Sequence, residues 1–110
     1  MPFYMSQFSY TAETWANLVK NPEDRAAAIR ALAEQNGAKL HGVWYAFGEY
    51  DGVTIIEAPD NTTVAAILLA VAGSGAIEKL KTTVLLTTQE AVEAMRRAGG
   101  VGYRPPGTAR

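Results

Sequence analysis

Cysteine is absent from this chain of 110 residues, and histidine occurs once. The first absence removes disulfides, thiolate nucleophiles and cysteine-rich zinc sites. The second leaves no basis for a histidine-ligated metal centre within one subunit, and neither metal nor cofactor is expected. Neither charge sign is in excess: 10 Lys+Arg face 11 Asp+Glu, a net charge of -1. That balance gives no general attraction to phosphate backbones or anionic lipids, so nucleic acid and membrane are not expected partners. Long apolar runs are missing too. The longest, Val64 to Ala72, ends at Gly73-Ser74-Gly75 and falls well short of the roughly 20 residues that span a bilayer. Met1-Pro2-Phe3-Tyr4 lacks the basic start and apolar run of a secretory signal, so the expected location is cytoplasmic.

What is present is a globular composition, 48% apolar and 19% charged, at a length suited to one domain. Phe3 to Tyr10, rich in aromatics and bounded by Pro2 and Thr11, reads as a strand. From Trp15 the apolar positions recur at three and four, a helical stripe broken by Asn21-Pro22-Glu23-Asp24. The reading is a short helix over Thr11–Lys20 and a longer one over Pro22–Asn36, stopped by Gly37. Strands follow at Lys39–Gly48 and Asp51–Ala58, joined by a hairpin turn. Pro59-Asp60-Asn61 caps a helix over Thr62–Gly73, and Leu80–Thr87 is a fourth strand. Thr87-Thr88-Gln89-Glu90 is a capping box for a terminal helix over Ala91–Ala98. Strand, helix, strand, strand, helix, strand predicts a ferredoxin-like α+β sandwich with a four-stranded antiparallel sheet. Residues 1–98 form this domain; residues 99–110 are a Gly/Pro-rich tail, either disordered or an arm on a neighbouring subunit.

With Glu49-Tyr50 as the loop, alternation puts His41, Val43, Tyr45, Phe47, Thr54, Ile56 and Ala58 on the helix-covered face. The other face receives Gly42, Trp44, Ala46, Gly48, Asp51, Val53, Ile55 and Glu57, too apolar for open water. The run Val64 to Ala72 is apolar all round its helix, which also asks for a partner. Self-association into a homodimer or larger homo-oligomer is the economical expectation.

Tyr4 to Thr11, Leu40-His41-Gly42-Val43-Trp44-Tyr45, Gly48-Glu49-Tyr50-Asp51 and Val53 to Asp60 together resemble the GYD-domain family, small bacterial and archaeal proteins. The most specific part is Gly48-x-Tyr50-Asp51 followed at fixed distance by Glu57-Ala58-Pro59-Asp60. The resemblance spans roughly residues 2 to 95 and implies a ferredoxin-like fold akin to the dimeric α/β barrels, two sheets forming one shared barrel. It implies no activity.

Four residues are candidate ligand contacts: Trp44, Tyr50, Asp51 and Glu57. Asp51 is either turn chemistry or a partner-facing carboxylate able to act as a base or ligand contact. Glu57 shares that face about 20 Å along the strand, too far for a carboxylate pair within one chain. Pairing with a Lys or Arg of a second copy is its structural alternative. His41, paired near Ala58 and about 23 Å from Asp51, reads as a structural or surface histidine. Trp44, Met5, Gln7 and Ser9 line either a ligand cavity or a dimer interface, while Tyr4, Phe8, Tyr10 and Tyr45 belong to the helix-side core. The glycine runs Gly73-Ser74-Gly75 and Gly99-Gly100-Val101-Gly102 do not join a strand to a helix and are helix stops or linkers. The expected function is small-molecule binding by a homo-oligomer, in a pocket between sheet and helices or at the barrel mouth. No catalytic residue is identified. The alternatives are a cofactor-free cyclase, isomerase or monooxygenase, by fold analogy alone, or a purely structural assembly protein.

Overall fold

The computed structural model describes residues 1–107. Strand β1 (Phe3–Tyr10) is followed by helices α1 (Ala12–Lys20) and α2 (Ala26–Gln35), then strands β2 (Lys39–Tyr45) and β3 (Gly52–Glu57). Helix α3 (Asn61–Gly73), strand β4 (Ile77–Leu85) and helix α4 (Thr88–Ala98) complete the order. The sheet runs β2-β3-β1-β4 with every neighbouring pair antiparallel. That order and the intervening helices make the expected ferredoxin-like α+β fold. The last three residues of the expected tail, 108–110, lie outside the described residues; 99–107 form no helix or strand.

Local chemistry sets the boundaries. Asp60 accepts from the Thr63 N–H and starts α3; the same hydrogen bond holds its carboxyl below the usual range. Thr87 and Glu90 close the expected capping box on α4. Gly37 adopts φ +72°, the left-handed stop after α2. The start of α2 differs from expectation. Residues 21–24 stay irregular and the helix begins at Ala26, whose N–H is taken by the Asp24 carboxylate rather than by Asn21. Arg25 is thereby moved out of a helix body to its N-cap.

The β2–β3 hairpin also departs from the expected register. Tyr45 pairs with Gly52 and the Ala46 N–H bonds to the Asp51 carbonyl, so the loop is longer than Glu49-Tyr50 and the pairing shifts by two residues. An even shift preserves the faces, which is why Thr54 and Ile56 still face the helices. A bulge between Leu40 and Gly42 does not preserve them. Leu40, opposite Ile56, is core at 6% exposure, and the extra residue His41 turns to the open face, where it meets Glu57 and the Phe3 ring. The helix-side placement of His41 is corrected by this single inserted residue.

Tyr4, Ala33, Ala38, Leu40, Ile56, Ala58, Val64 and Ile67 form the core between the sheet and α2 and α3. The Tyr4 hydroxyl is satisfied by donating to Asn61 Oδ1 at 2.6 Å, tying β1 to the first turn of α3. The outer side of α3 remains open, with Leu69 73% exposed. Helix α4 buries none of its residues, and residues 92–107 are exposed throughout. The molecule measures 64 × 32 × 22 Å, elongated for its length.

Two glycines take positions that side chains cannot share. A Cβ on Gly52 would lie 2.4 Å from the end of the buried Phe8 ring, whereas one on Gly42 would meet the half-exposed Trp44 indole at the same distance. Gly52→Ala is therefore expected to cost about 1–3 kcal/mol in chemical denaturation, because the buried Phe8 ring must shift from its packed position to admit the methyl. Gly42→Ala should cost much less while changing Trp44 fluorescence.

Candidate functional site

The sheet face under α2 and α3 has a polar row across its middle. Cross-strand pairing sets Thr54 of β3, Ser6 of β1 and Thr82 of β4 side by side. The rows on either side carry Tyr4 with Ile56 and Phe8 with Leu80. Ser6 Oγ and Thr82 Oγ1 lie 2.8 Å apart and share a hydrogen bond, which satisfies the buried Ser6. Serine fills far less space than the residues flanking it, and the helices do not close the difference. A cavity of about 280 Å³ results, near the lower end of the range for small-ligand sites.

Its floor is Ser6, Phe8, Thr54 and Ile56; its walls are Ala28, Ile29 and Leu32 of α2 and Val64, Ile67, Leu68 and Val71 of α3. Tyr10, Arg25, Ser74 and Ala76 gather towards the β4 end. The Thr54 hydroxyl has no hydrogen-bond partner among the described residues. Tyr10, Arg25 and Ala76 also line a second hollow of about 280 Å³ with Thr14, Asn17, Leu18, Asn21 and Glu23. An apolar chamber thus adjoins a polar vestibule across Tyr10 and Arg25.

Aromatic side chains brace this junction. The Tyr10 ring packs edge-on against Trp15 at 5.1 Å between centroids, and Tyr45 closes on both. The hydroxyls of Tyr10 and Tyr45 are 3.2 Å apart. Burial first, and then the Tyr45 hydroxyl, push the Tyr10 pKa well above the usual phenol value, so Tyr10 stays protonated.

None of the four residues singled out in the sequence lines either hollow. Asp51 sits behind the aromatic group: its Oδ2 accepts from the Tyr10 backbone N–H at 3.0 Å and the Trp15 indole N–H at 2.9 Å. Its own N–H donates to the Phe8 carbonyl. Tyr50 lies under the Lys79 ammonium, 5.1 Å from the ring centroid, and Lys79 also donates to the Glu49 carbonyl. At the other end of β3, Glu57 Oε1 accepts from His41 Nε2 at 2.7 Å. Trp44 stands half-exposed on the open face, opposite Val53. Tyr50 and Asp51 are therefore together at one end of the sheet, while Glu57 is at the far end, paired with His41. Among the described residues no group of three or more His, Asp or Glu side chains converges, and no helix is long and apolar enough to cross a membrane.

The cavity residues were within reach of alternation. Ser6 shares a face with Tyr4 and Phe8, and Thr54 with Ile56, so two hydroxyls were destined for the core side. Arg25 had no such signal, because Pro22 reads as the start of its helix.

Comparison with known proteins places the chain in a family. The GYD domain matches residues 4–95. The chain belongs to the GYD-domain family. Among curated proteins, a relative from Thermus thermophilus, "Glutamine synthetase and cystathionine beta-lyase binding protein", is 30% identical over 80 residues. That match covers 73% of this GYD chain and 84% of the relative. Two solved structures are similar at lower identity. A hypothetical protein from Pyrococcus horikoshii is 15% identical with a TM-score of 0.48, the match covering 79% of this chain and 92% of that one. A NIPSNAP domain protein from Burkholderia xenovorans is 17% identical with a TM-score of 0.46, covering 79% of this chain and 94% of that one.

Since Asp51 holds both the start of α1 and the end of β1, Asp51→Ala in this GYD protein leaves two N–H donors without their acceptor. A loss of about 1–3 kcal/mol is expected in denaturant unfolding, with Trp15 emission shifted to the red. Unaltered stability would show that the loop is held by other contacts.

Proposed function

We propose that this GYD protein is a small binding protein: a homodimer joined through its open sheet face, each subunit taking one small, mostly apolar molecule between sheet and helices. The observation that carries this reading is the cavity itself, apolar on its walls with a few polar groups on floor and rim. Binding is favoured over catalysis by the ionisable groups present. The inner chamber is lined by Tyr10 and Arg25 as its only ionisable side chains among the described residues, and neither is a base near neutral pH. His41 and Asp51, the natural choices for an acid–base pair, are held at opposite ends of β3.

Self-pairing is supported by the open face. Met5, Val53 and Ile55 are only partly buried there, with Trp44 beside them. Lys81 of β4 pairs with Gln7, whereas Glu57 of β3 pairs with Phe3, so the positive and negative corners lie diagonally across the sheet. A two-fold rotation that exchanges those corners brings the lysine of one copy onto the glutamate of the other while closing the apolar centre. On this reading Trp44 and Glu57 act at the interface, and Tyr50 and Asp51 shape the end of the barrel.

A second reading, docking on an enzyme, is favoured by the name of the Thermus relative. Helix α4 is the element suited to it: amphipathic, with Val92 and Met95 exposed. Purified glutamine synthetase and cystathionine β-lyase from the protein's own source organism provide the direct binding test.

Two measurements test the principal reading. Octanol added to methyl-labelled protein should shift the resonances of Ile29, Val64, Ile67 and Leu68, and Ala28→Phe or Val71→Phe, which fill the chamber, should abolish those shifts. Equal binding by the filled variants would place the probe elsewhere. In sedimentation, the wild type should run as a dimer and Ile55→Asp as a monomer; an unchanged mass for the variant would remove the open face from the interface.

A further inference from the structure

We propose that the molecule taken up is a small amphipathic acid, with its carboxylate on Arg25 and its apolar body in the chamber behind. This inference rests on the cavity being a binding chamber, and adds to it the chemical class of the ligand. Arg25 is the one charged residue lining the inner cavity, and it lines the polar vestibule as well. Its guanidinium therefore stands where an apolar enclosure opens towards water, the place an amphiphile would keep its charge. A planar guanidinium offers five donors in a fork that matches a carboxylate with two parallel hydrogen bonds.

Arg25 faces the Tyr10 hydroxyl and one carboxylate, which leaves most of its five donors unused. Its ion pair is with Glu23, a single contact from Nη1 to Oε1 at 3.3 Å. Both side chains are well exposed, 40% and 57%, and a pair of that kind contributes little in water. Glu23 belongs to the irregular segment between α1 and α2, so it can turn outward without disturbing a helix. A carboxylate held closer to the chamber mouth would gain more than this pair loses. The Tyr10 hydroxyl, shared with Tyr45, borders the same opening. Asn17, Asn21 and Thr14 supply the vestibule with neutral hydrogen-bonding groups.

The enclosure limits the other end of the ligand. Ile29, Leu32, Ile67 and Leu68 admit a hydrocarbon or a single ring, and about 280 Å³ suits a molecule at the small end of those that pockets enclose. A cation is disfavoured by Arg25, and a molecule charged at both ends would bury one charge among these aliphatic walls. Of the acidic groups nearby, Glu23 lines the vestibule beside Arg25 and is the carboxylate the ligand would displace, and Asp24 is engaged with the Ala26 N–H.

The test compares octanoate with octanol on the wild type, Arg25→Met and Arg25→Lys, by calorimetry and by the same methyl resonances. Octanoate should bind Arg25→Met at least about tenfold more weakly than the wild type, the size expected for a lost charge-assisted pair. Octanol should bind both alike, and Arg25→Lys should recover part of the octanoate affinity. Added salt should weaken octanoate alone. Octanoate binding Arg25→Met as tightly as the wild type would overturn the proposal. Octanol binding without any preference for octanoate would overturn it too, yet leave the binding chamber in place. Failure of both probes to bind would overturn the two together.

Discussion

The hydrogen bond between Ser6 and Thr82 fixes the character of the whole interior. It lets a small polar residue occupy the middle of a buried sheet face without an unsatisfied hydroxyl. A large aliphatic residue at Ser6 would join the Tyr4 and Phe8 rows into one closed core. Instead the two helices rest on the rims of a depression, with Val64 and Ile67 sealing one side and Ile29 and Leu32 the other. A stability-optimised domain of this size has little reason to keep such a space, since unfilled volume and buried hydroxyls both weigh against folding. Its presence is the physical ground for reading the chain as a binding protein.

The two ends of the sheet are held by different chemistry, and that difference explains what the conspicuous residues do. At the hairpin end Asp51 gathers the Tyr10 N–H and the Trp15 indole, and the aromatic group it organises borders the chamber mouth. At the other end His41 and Glu57 bond to each other on the open face. Asp51 therefore holds the Tyr10 backbone from behind the chamber, while Glu57 stands on the surface proposed to meet a second copy. Fold and the proposed assembly are thus connected through β1, whose alternate residues face the chamber and the open side of the sheet.

Much of the architecture was legible in the sequence because it rests on local chemistry. The Asp60 cap, the Thr87–Glu90 capping box and the Gly37 stop each depend on a few adjacent residues, and each formed as expected. The faces of β1 and β3 followed from alternation. What was not legible depends on one inserted residue or on pairings distant in the chain. The bulge at His41 leaves no mark in composition, yet it reverses that side chain. The start of α2 was misplaced because Asn21-Pro22 is a strong helix opening, and the Asp24 carboxylate took the capping role instead. The floor of the chamber is set by Ser6 and Thr54, with Thr82 bonded to Ser6, each unremarked in its own strand and significant only when the strands lie in register. Arg25 acquires its place for the same reason, from the irregular segment before α2 that Asp24 leaves unwound.

Native mass spectrometry of the protein taken directly from its own cells tests the central claim in one measurement. The account predicts a dimer in which each chain carries a reproducible small mass that an organic acid explains, and which is lost when Ala28→Phe fills the chamber. A bare chain at monomer mass, in protein that is otherwise folded, would contradict both the open-face pairing and the chamber's role.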